Sequence, residues 1–112
     1  MLPVEALAVL ADPVRRELVD LLTRGELSAG ELAGRFPVSR PAISRHLRVL
    51  REAGLVTART EGRRRLYALD PRPLREIDDW LEPYRDLWAQ RLDALDTEIA
   101  RGRRARASGE PT

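Results

Sequence analysis

Apolar residues recur every three or four positions through the first half of the chain, which is the spacing of one helical face. Four short helices are predicted from this spacing, beginning near residues 4, 13, 29 and 40. Three of them follow a start signal: Asp12 before Pro13, the capping box Ser28–Glu31, and Ser39. A glycine ends the second and the fourth segments, at positions 25 and 54.

The pattern changes over residues 55–69, where Val, Thr, Tyr and Leu flank a Thr-Glu-Gly-Arg turn, as in a β-hairpin. Asp70 and Pro71 then repeat the cap-and-proline signal and begin a long last helix. Pro83 lies inside the apolar pattern of this helix and predicts a kink or a brief interruption. Residues 101–112 lack apolar periodicity and are predicted to be a disordered basic tail, which leaves residues 1–100 as one folded domain.

These elements predict a fold that is mainly α with a small β-hairpin. The third and fourth helices are joined by a tight turn at residues 36–38 and form a helix-turn-helix, and the hairpin that follows is its wing. The order of four helices, hairpin and last helix is that of a winged helix-turn-helix. We expect the first and last helices to form a dimer interface.

Composition excludes several classes of protein. The 112 residues contain no cysteine, which rules out disulfides and thiolate metal sites. One histidine and the absence of a glycine-rich phosphate loop give no support to catalysis, so we expect neither an enzyme nor a cofactor. The N-terminal segment lacks the basic start of a signal peptide, and no apolar stretch approaches the roughly 20 residues of a membrane span. We therefore expect a cytoplasmic protein with no membrane partner.

Charge is distributed unevenly although the net charge is only +2. Residues 35–65 hold nine arginines and two acids, a net charge of +7. The neighbouring blocks, 1–34 and 66–98, carry net charges of −3 and −5. A basic middle block between acidic blocks is typical of a localised nucleic-acid footprint, and the expected partner is double-stranded DNA.

The fourth helix has one apolar side, formed by Ile43, Leu47 and Leu50, and a basic remainder. The N-terminal part of such a helix enters the major groove, so Arg40, Pro41, Ser44 and Arg45 are candidates for base contacts. Ser39 lies at the helix N-terminus, where a phosphate is favoured, and Arg48 and Arg51 are candidates for phosphate contacts. The full set predicted to bind DNA on this helix is Ser39, Arg40, Pro41, Ser44, Arg45, His46, Arg48 and Arg51.

Two parts of this basic block leave alternatives open. His46 lies beside the buried side, where a phosphate contact or a helix-packing role is more plausible than metal ligation. In the hairpin, Arg59, Arg63, Arg64 and Arg65 are predicted to contact DNA, since a thin basic tip fits the minor groove. Arg63 and Arg64 are the favoured pair, because strand alternation could turn Arg65 inward. The alternative for the hairpin is that it forms the edge of a sheet and that its arginines only keep this edge soluble.

The last helix carries an apolar stripe that a monomer would leave in water. Pairing with a second copy across a two-fold axis would cover it. The predicted dimer interface consists of Leu74, Ile77, Leu81, Tyr84, Trp88, Leu92 and Leu95. A small-molecule effector pocket lined by its aromatic residues is an alternative, and so is a cation site formed by Asp78, Glu82 and Asp86. A solvated acidic face is the simpler interpretation of those three carboxylates.

Four segments together resemble an ArsR-type winged-helix repressor: LADPVRRELVDLL, GELSAGELAGRF, SRPAISRHLRVLREAGLV and EGRRRLYALDP. The resemblance extends over residues 6 to about 99 and implies a homodimeric repressor that binds an inverted-repeat operator. The metal-sensing members place cysteines where this chain has Ser28 and Gly30, and histidines on a last helix that here has none. The chain is therefore most similar to the branch that does not sense metals.

Other functions remain open from the sequence. The same basic face would suit a winged-helix module that binds an acidic protein partner. A sensor enzyme or metalloregulator, and an architectural DNA binder without sequence preference, are further alternatives. Base discrimination in a DNA-binding assay would separate the protein-interaction module from a sequence-specific repressor, and metal analysis of the purified protein bears on the metalloregulator.

Overall fold

We analysed a computed structural model, which describes the backbone of residues 4–107 and the side chains of residues 4–104. The predicted order of helices and hairpin is confirmed, with one additional short strand. In chain order the elements are α1 (Val4–Leu10), α2 (Pro13–Leu22), β1 (Leu27–Ser28), α3 (Ala29–Ala33), α4 (Arg40–Glu52), β2 (Val56–Glu61), β3 (Arg64–Leu69) and α5 (Arg72–Ala107).

The described residues form two compact units. Residues 4–79 form the first unit, which contains every element up to the first turns of α5. Residues 80–107 form the second unit and are entirely helical. The division has a physical reason, because from residue 82 to residue 101 every α5 side chain is exposed.

Side-chain caps fix the starts of three helices at the predicted residues. The Oδ1 atom of Asp12 accepts hydrogen bonds from the backbone N–H groups of Val14 and Arg15, at 2.9 and 3.1 Å. These bonds hold the pKa of Asp12 below its usual value, with the bond from Arg15 contributing most. Ser28 and Glu31 form the reciprocal capping box of α3, and the Ser39 hydroxyl accepts from the Ala42 N–H at 3.3 Å.

One apolar core holds the first unit together. Fully buried side chains come from α2, α3, α4, the residue before β2 and the start of β2, and they are Leu18, Leu32, Ile43, Leu47, Leu50, Leu55 and Val56. Leu74 and Ile77, from the first two turns of α5, are partly buried against the same core. The core therefore fixes which side of α4 faces inward and which side faces solvent.

The wing is the larger part of a three-stranded antiparallel sheet with the strand order β1-β3-β2. Glu61 pairs with Arg64, so that Gly62 and Arg63 form a two-residue turn. Gly62 has φ 62°, the positive angle that a type II′ turn requires at its first central position. Strand β1 was not predicted, because a two-residue strand has no periodicity and is defined only by its pairing with β3.

Helix α5 differs from its prediction at both ends. It begins at Arg72 rather than at Pro71, and it continues without interruption through Pro83. It also continues to Ala107, into the segment from residue 101 that the sequence predicts as a disordered tail. Arginine and alanine have high intrinsic helix propensity, which lets this segment remain helical without an apolar face. Residues 108–112 of the predicted tail lie outside the described residues.

Within residues 4–107, none of the helices has the length and apolar character that crossing a bilayer requires.

The start of α5 gives the stability of the protein a testable pH dependence. Asp70 Oδ1 accepts from the Arg72 N–H at 3.1 Å, and Oδ2 lies 2.6 Å from Nη2 of Arg72. The side-chain hydrogen bonds from Arg72 are the main reason that the pKa of Asp70 falls from 3.8 to about 2. Because the folded-state value is the lower one, this carboxylate stabilises the fold above its unfolded pKa and loses that effect as pH falls from 3.8 towards about 2.

Asp70→Asn should therefore be less stable than the parent near neutral pH, and the difference should shrink as the pH falls through this window. Urea unfolding at a series of pH values measures the difference. Asp96→Asn, which removes an exposed carboxylate from the same helix, serves as control. A difference between parent and Asp70→Asn that stays constant with pH would contradict the assignment.

Candidate nucleic-acid interface

Helix α4 presents a continuous basic ridge to solvent. Ile43, Leu47 and Leu50 are buried on one side of the helix. The exposed remainder of the helix surface contains Arg40, Pro41, Ser44, Arg45, Arg48 and Arg51, together with Glu52. The structure thus brings together the predicted base-contact and phosphate-contact residues on one surface.

The arginines of this ridge have no acidic partner among the residues whose side chains are described. The ion pairs found there involve other arginines, at positions 59, 64, 72 and 75. Within the described side chains, no ion pair neutralises the arginines of the ridge. A surface of this kind attracts polyanions and offers guanidinium groups for paired hydrogen bonds to phosphate or to guanine.

Ser39 lies at the N-terminal end of this ridge, and its side chain is exposed. The hydroxyl oxygen accepts from the backbone of α4, while the hydroxyl hydrogen stays available to a ligand. Pro41, in the first turn, has no N–H group, so it removes one donor but leaves the helix intact. This helix end can accommodate a phosphate.

His46 lies apart from the ridge. It is half-buried, and its Nδ1 atom lies 3.4 Å from Nη1 of Arg15. Arg15 also donates from Nε to the backbone carbonyl of Val9 at 2.7 Å. His46 therefore takes part in packing α4 against the α1–α2 junction, which is the helix-packing alternative of the sequence analysis.

The four wing arginines divide into two pairs. Arg63, in the turn, and Arg65, on β3, are exposed and have no acidic partner among residues 4–104. Arg65 is not turned inward, and its guanidinium lies 5.7 Å from the ring centre of Tyr67. Arg59 and Arg64 instead bind carboxylates outside the wing, at Glu26 and Glu31.

Sequence reasoning missed those two carboxylates as parts of the site. Glu31 was recognised only as the capping-box residue, and Glu26 carried no signal because its partner is 33 residues away in the chain. Both carboxylates have a pKa below the ordinary value. For Glu26 the main cause is the hydrogen bond from Arg59, and for Glu31 it is the bond from the Ser28 backbone.

The predicted dimer residues also fall into two groups. Leu74 and Ile77 pack against the core of their own chain, so that core already accounts for much of their burial. Leu81 is half-buried, whereas the residues beyond it are exposed: Tyr84 by 43%, Trp88 by 47%, Leu92 by 59% and Leu95 by 50%. The rings of Trp80, Tyr84 and Trp88 follow one another along the helix, tilted by 54° and 32°, with centroids 5.5 and 6.4 Å apart.

Metal ligands do not cluster in the part of the chain that is described. No group of three His, Asp or Glu side chains there could hold a metal ion. Ser28 and Gly30, at the positions that the sequence analysis compared with thiolate ligands, lie at the start of α3, where the Ser28 side chain caps the helix.

Comparison with known proteins identifies the family. Residues 10–59 match a helix-turn-helix domain family. An HTH-type transcriptional regulator of Mycobacterium tuberculosis, Rv2034, is 46% identical over 90 residues, which are 80% of this chain and 81% of that protein. The arsenical resistance operon repressor of Staphylococcus xylosus is 41% identical over 81% of this chain and 77% of its own length. The solved structure of an ArsR-like transcriptional regulator from Rhodococcus sp. RHA1 superposes with a TM-score of 0.66 at 36% identity, covering 85% of this chain and 90% of that one.

The chain belongs to the ArsR family of transcriptional regulators. This membership makes the exposed ridge of α4 part of a DNA-binding domain and makes the hairpin the wing of a winged helix-turn-helix. The relatives are regulators and not enzymes, and repressors are among them. The comparisons thus agree with the DNA partner that the basic block predicts and with the repressor that the family resemblance implies.

Proposed function

We propose that this ArsR-family protein is a homodimeric repressor that reads an inverted-repeat operator without a thiolate or histidine metal site. The observation that carries the proposal is the α4 ridge, where exposed arginines lie side by side with no acidic partner within the described part of the chain. Unneutralised guanidinium groups on the exposed side of a recognition helix suit both base edges and phosphates.

The two ends of α4 have different roles in this proposal. Arg40, Ser44 and Arg45 lie in the first two turns, which enter the major groove, and Arg45 pairs with guanine. Arg48 and Arg51 follow one and two turns later and contact phosphates. The wing adds Arg63 and Arg65 as its DNA contacts, at or next to the turn of the hairpin.

A homodimer is proposed because the second unit exposes an apolar stripe along a single helix. Tyr84, Trp88, Leu92 and Leu95 recur at steps of four, four and three residues and lie on one side of α5. Val4 and Leu7 on α1 are exposed as well. A second copy would cover both sets, and the half-sites expected for a dimeric helix-turn-helix protein lie about 34–36 Å apart, roughly one turn of DNA.

Independence from metal is proposed from the chemistry of the donor set. The chain has no cysteine and a single histidine, and that histidine is engaged with Arg15. A small-molecule effector is compatible with this proposal, but none of its steps requires one.

Selection of bound sites from a random duplex library tests the proposal. The purified protein is used at fixed moderate salt with chelator present, because phosphate contacts alone hold DNA at low ionic strength. Enrichment of an inverted repeat is the expected result. Binding without any sequence preference would favour an architectural DNA binder, and the absence of binding would favour an acidic protein partner.

Variants of the ridge test the division of roles along α4. Arg45→Ala should lower the affinity for the selected site by about 1–3 kcal/mol and relax base preference at one position of each half-site. Arg51→Ala should weaken binding evenly across sequences and lower the slope of log affinity against log salt by about 1. Equal losses on all sequences for both variants would contradict this division.

A further inference from the structure

The two wing arginines that bind carboxylates share one face of the hairpin. Glu61 and Arg64 are direct partners in the ladder, and Arg59 is the partner of Leu66. Because side chains alternate along a strand, Arg59, Glu61 and Arg64 point to the same side of the sheet. Tyr67, on the opposite side, belongs to the main core, whereas Leu66 is buried without being part of it.

Arg59 connects the outer strand of the wing with the segment that leads into the helix-turn-helix. Its Nη2 and Nε atoms donate to Oε1 and Oε2 of Glu26, at 2.6 and 2.9 Å, and its Nη1 lies 3.0 Å from Glu61. Since β3 separates β2 from β1, the Arg59 side chain must cross the middle strand to reach Glu26. Two parallel N–H···O bonds fix the orientation as well as the distance.

Arg64 makes the corresponding connection from the middle strand. Its Nη2 atom donates to Oε1 of Glu31 at 3.0 Å. The same oxygen accepts the Ser28 backbone N–H at 3.1 Å, as part of the capping box of α3. One carboxylate thus joins the wing to the N-terminus of the helix that packs beside the recognition helix.

We propose that Glu26 and Glu31 are positioning residues that hold the wing against the helix-turn-helix, and that Arg59 and Arg64 serve this purpose instead of contacting DNA. Exposed ion pairs contribute little to global stability, so their effect is on the orientation of the hairpin. Arg63 and Arg65 are then the wing residues that reach DNA. This inference rests on the proposed function and states which of the wing arginines contact DNA.

The direction in which a charge-removing substitution changes the DNA affinity tests the inference. Glu26→Gln and Glu31→Gln each remove a negative charge close to the DNA-binding surface, and glutamine preserves the capping box. If the carboxylates position the wing, both variants bind the selected duplex several-fold more weakly. If they merely compete with phosphates for the arginines, both variants bind more tightly. Glu52→Gln, an exposed carboxylate of α4 without an ion pair among the described residues, is the matched control.

A charge exchange separates positioning from phosphate contact. Arg59→Glu alone should bind poorly, and adding Glu26→Arg should restore binding, because the exchanged pair keeps the link and the net charge. Adding Asp20→Arg, at an exposed position of α2 outside the ridge, to Arg59→Glu restores the same net charge without the link and should not restore binding. In salt titrations, Arg63→Ala should lower the slope of log affinity against log salt by about 1, whereas Arg59→Ala should leave this slope unchanged.

The outcomes distinguish this inference from the proposed function. If the parent protein does not bind any selected duplex, the proposed function fails and this inference fails with it. If the parent binds but Glu26→Gln and Glu31→Gln tighten binding, or the exchange variant stays as weak as Arg59→Glu, only the inference fails. Circular dichroism melting of each variant confirms that the fold is unchanged.

Discussion

Leu47→Ala is expected to lower the free energy of unfolding by roughly 2–5 kcal/mol, the range for truncating a buried leucine. Leu47 is 1% exposed and lies in the middle of α4 on its buried side. Small domains are stable by only about 5–15 kcal/mol, so the loss is a large part of the total. It should also weaken operator binding, because the side of α4 that orients the arginine ridge would lose its support. Urea unfolding at fixed protein concentration measures the change.

Arg48→Ala provides the matched control, because it truncates the next residue of the same helix on the exposed side. We expect its unfolding free energy to change by less than about 0.5 kcal/mol, since alanine favours the helix and no buried contact is lost. Its operator affinity should fall nevertheless. Together the two variants distinguish the buried side of α4, which stabilises the fold, from the exposed side, which is proposed to contact DNA. Equal stability losses in the two variants would show that the assignment of the two sides is wrong.

Trp88→Glu is expected to convert the proposed dimer to a monomer and to lower operator affinity by at least about 100-fold. Trp88 is 47% exposed and lies at the centre of the apolar stripe of α5. A buried carboxylate without a partner would be strongly unfavourable in a helix–helix interface. The loss of affinity follows because joining two half-site contacts raises affinity by about 10²–10⁴. Light scattering and operator titration measure the two effects.

Gln90→Glu adds the same charge two residues later, about 200° around the helix and away from the stripe. This variant should remain dimeric and bind the operator as the parent does. Because the Trp88 side chain is half exposed in the single chain, Trp88→Glu should leave the unfolding of the first unit unchanged. A Trp88→Glu protein that still dimerises and still binds the operator would exclude this stripe as the interface.

The sequence was sufficient to predict those features of the structure that depend on residues close together in the chain. Asp12, Ser28 and Ser39 were predicted as caps because each accepts a hydrogen bond from two or three residues ahead. The buried side of α4 followed from the spacing of its apolar residues, and the ridge of arginines followed from what remained. Both helix starts and helix faces are set by interactions within about one turn, so they can be read directly from the order of residues.

Interactions between distant segments were decided only by the tertiary structure. Strand β1 exists because two residues meet β3, and Glu26 meets Arg59 only because the sheet brings together segments 33 residues apart. The same folding engages His46 with Arg15 and leaves the arginines of α4 without acidic partners within the described side chains. The sequence by itself therefore determined the family, helices α1 to α4 and the basic surface. Which of its charges remain free to meet DNA was decided by packing, because an ion pair depends on distance in space and not along the chain.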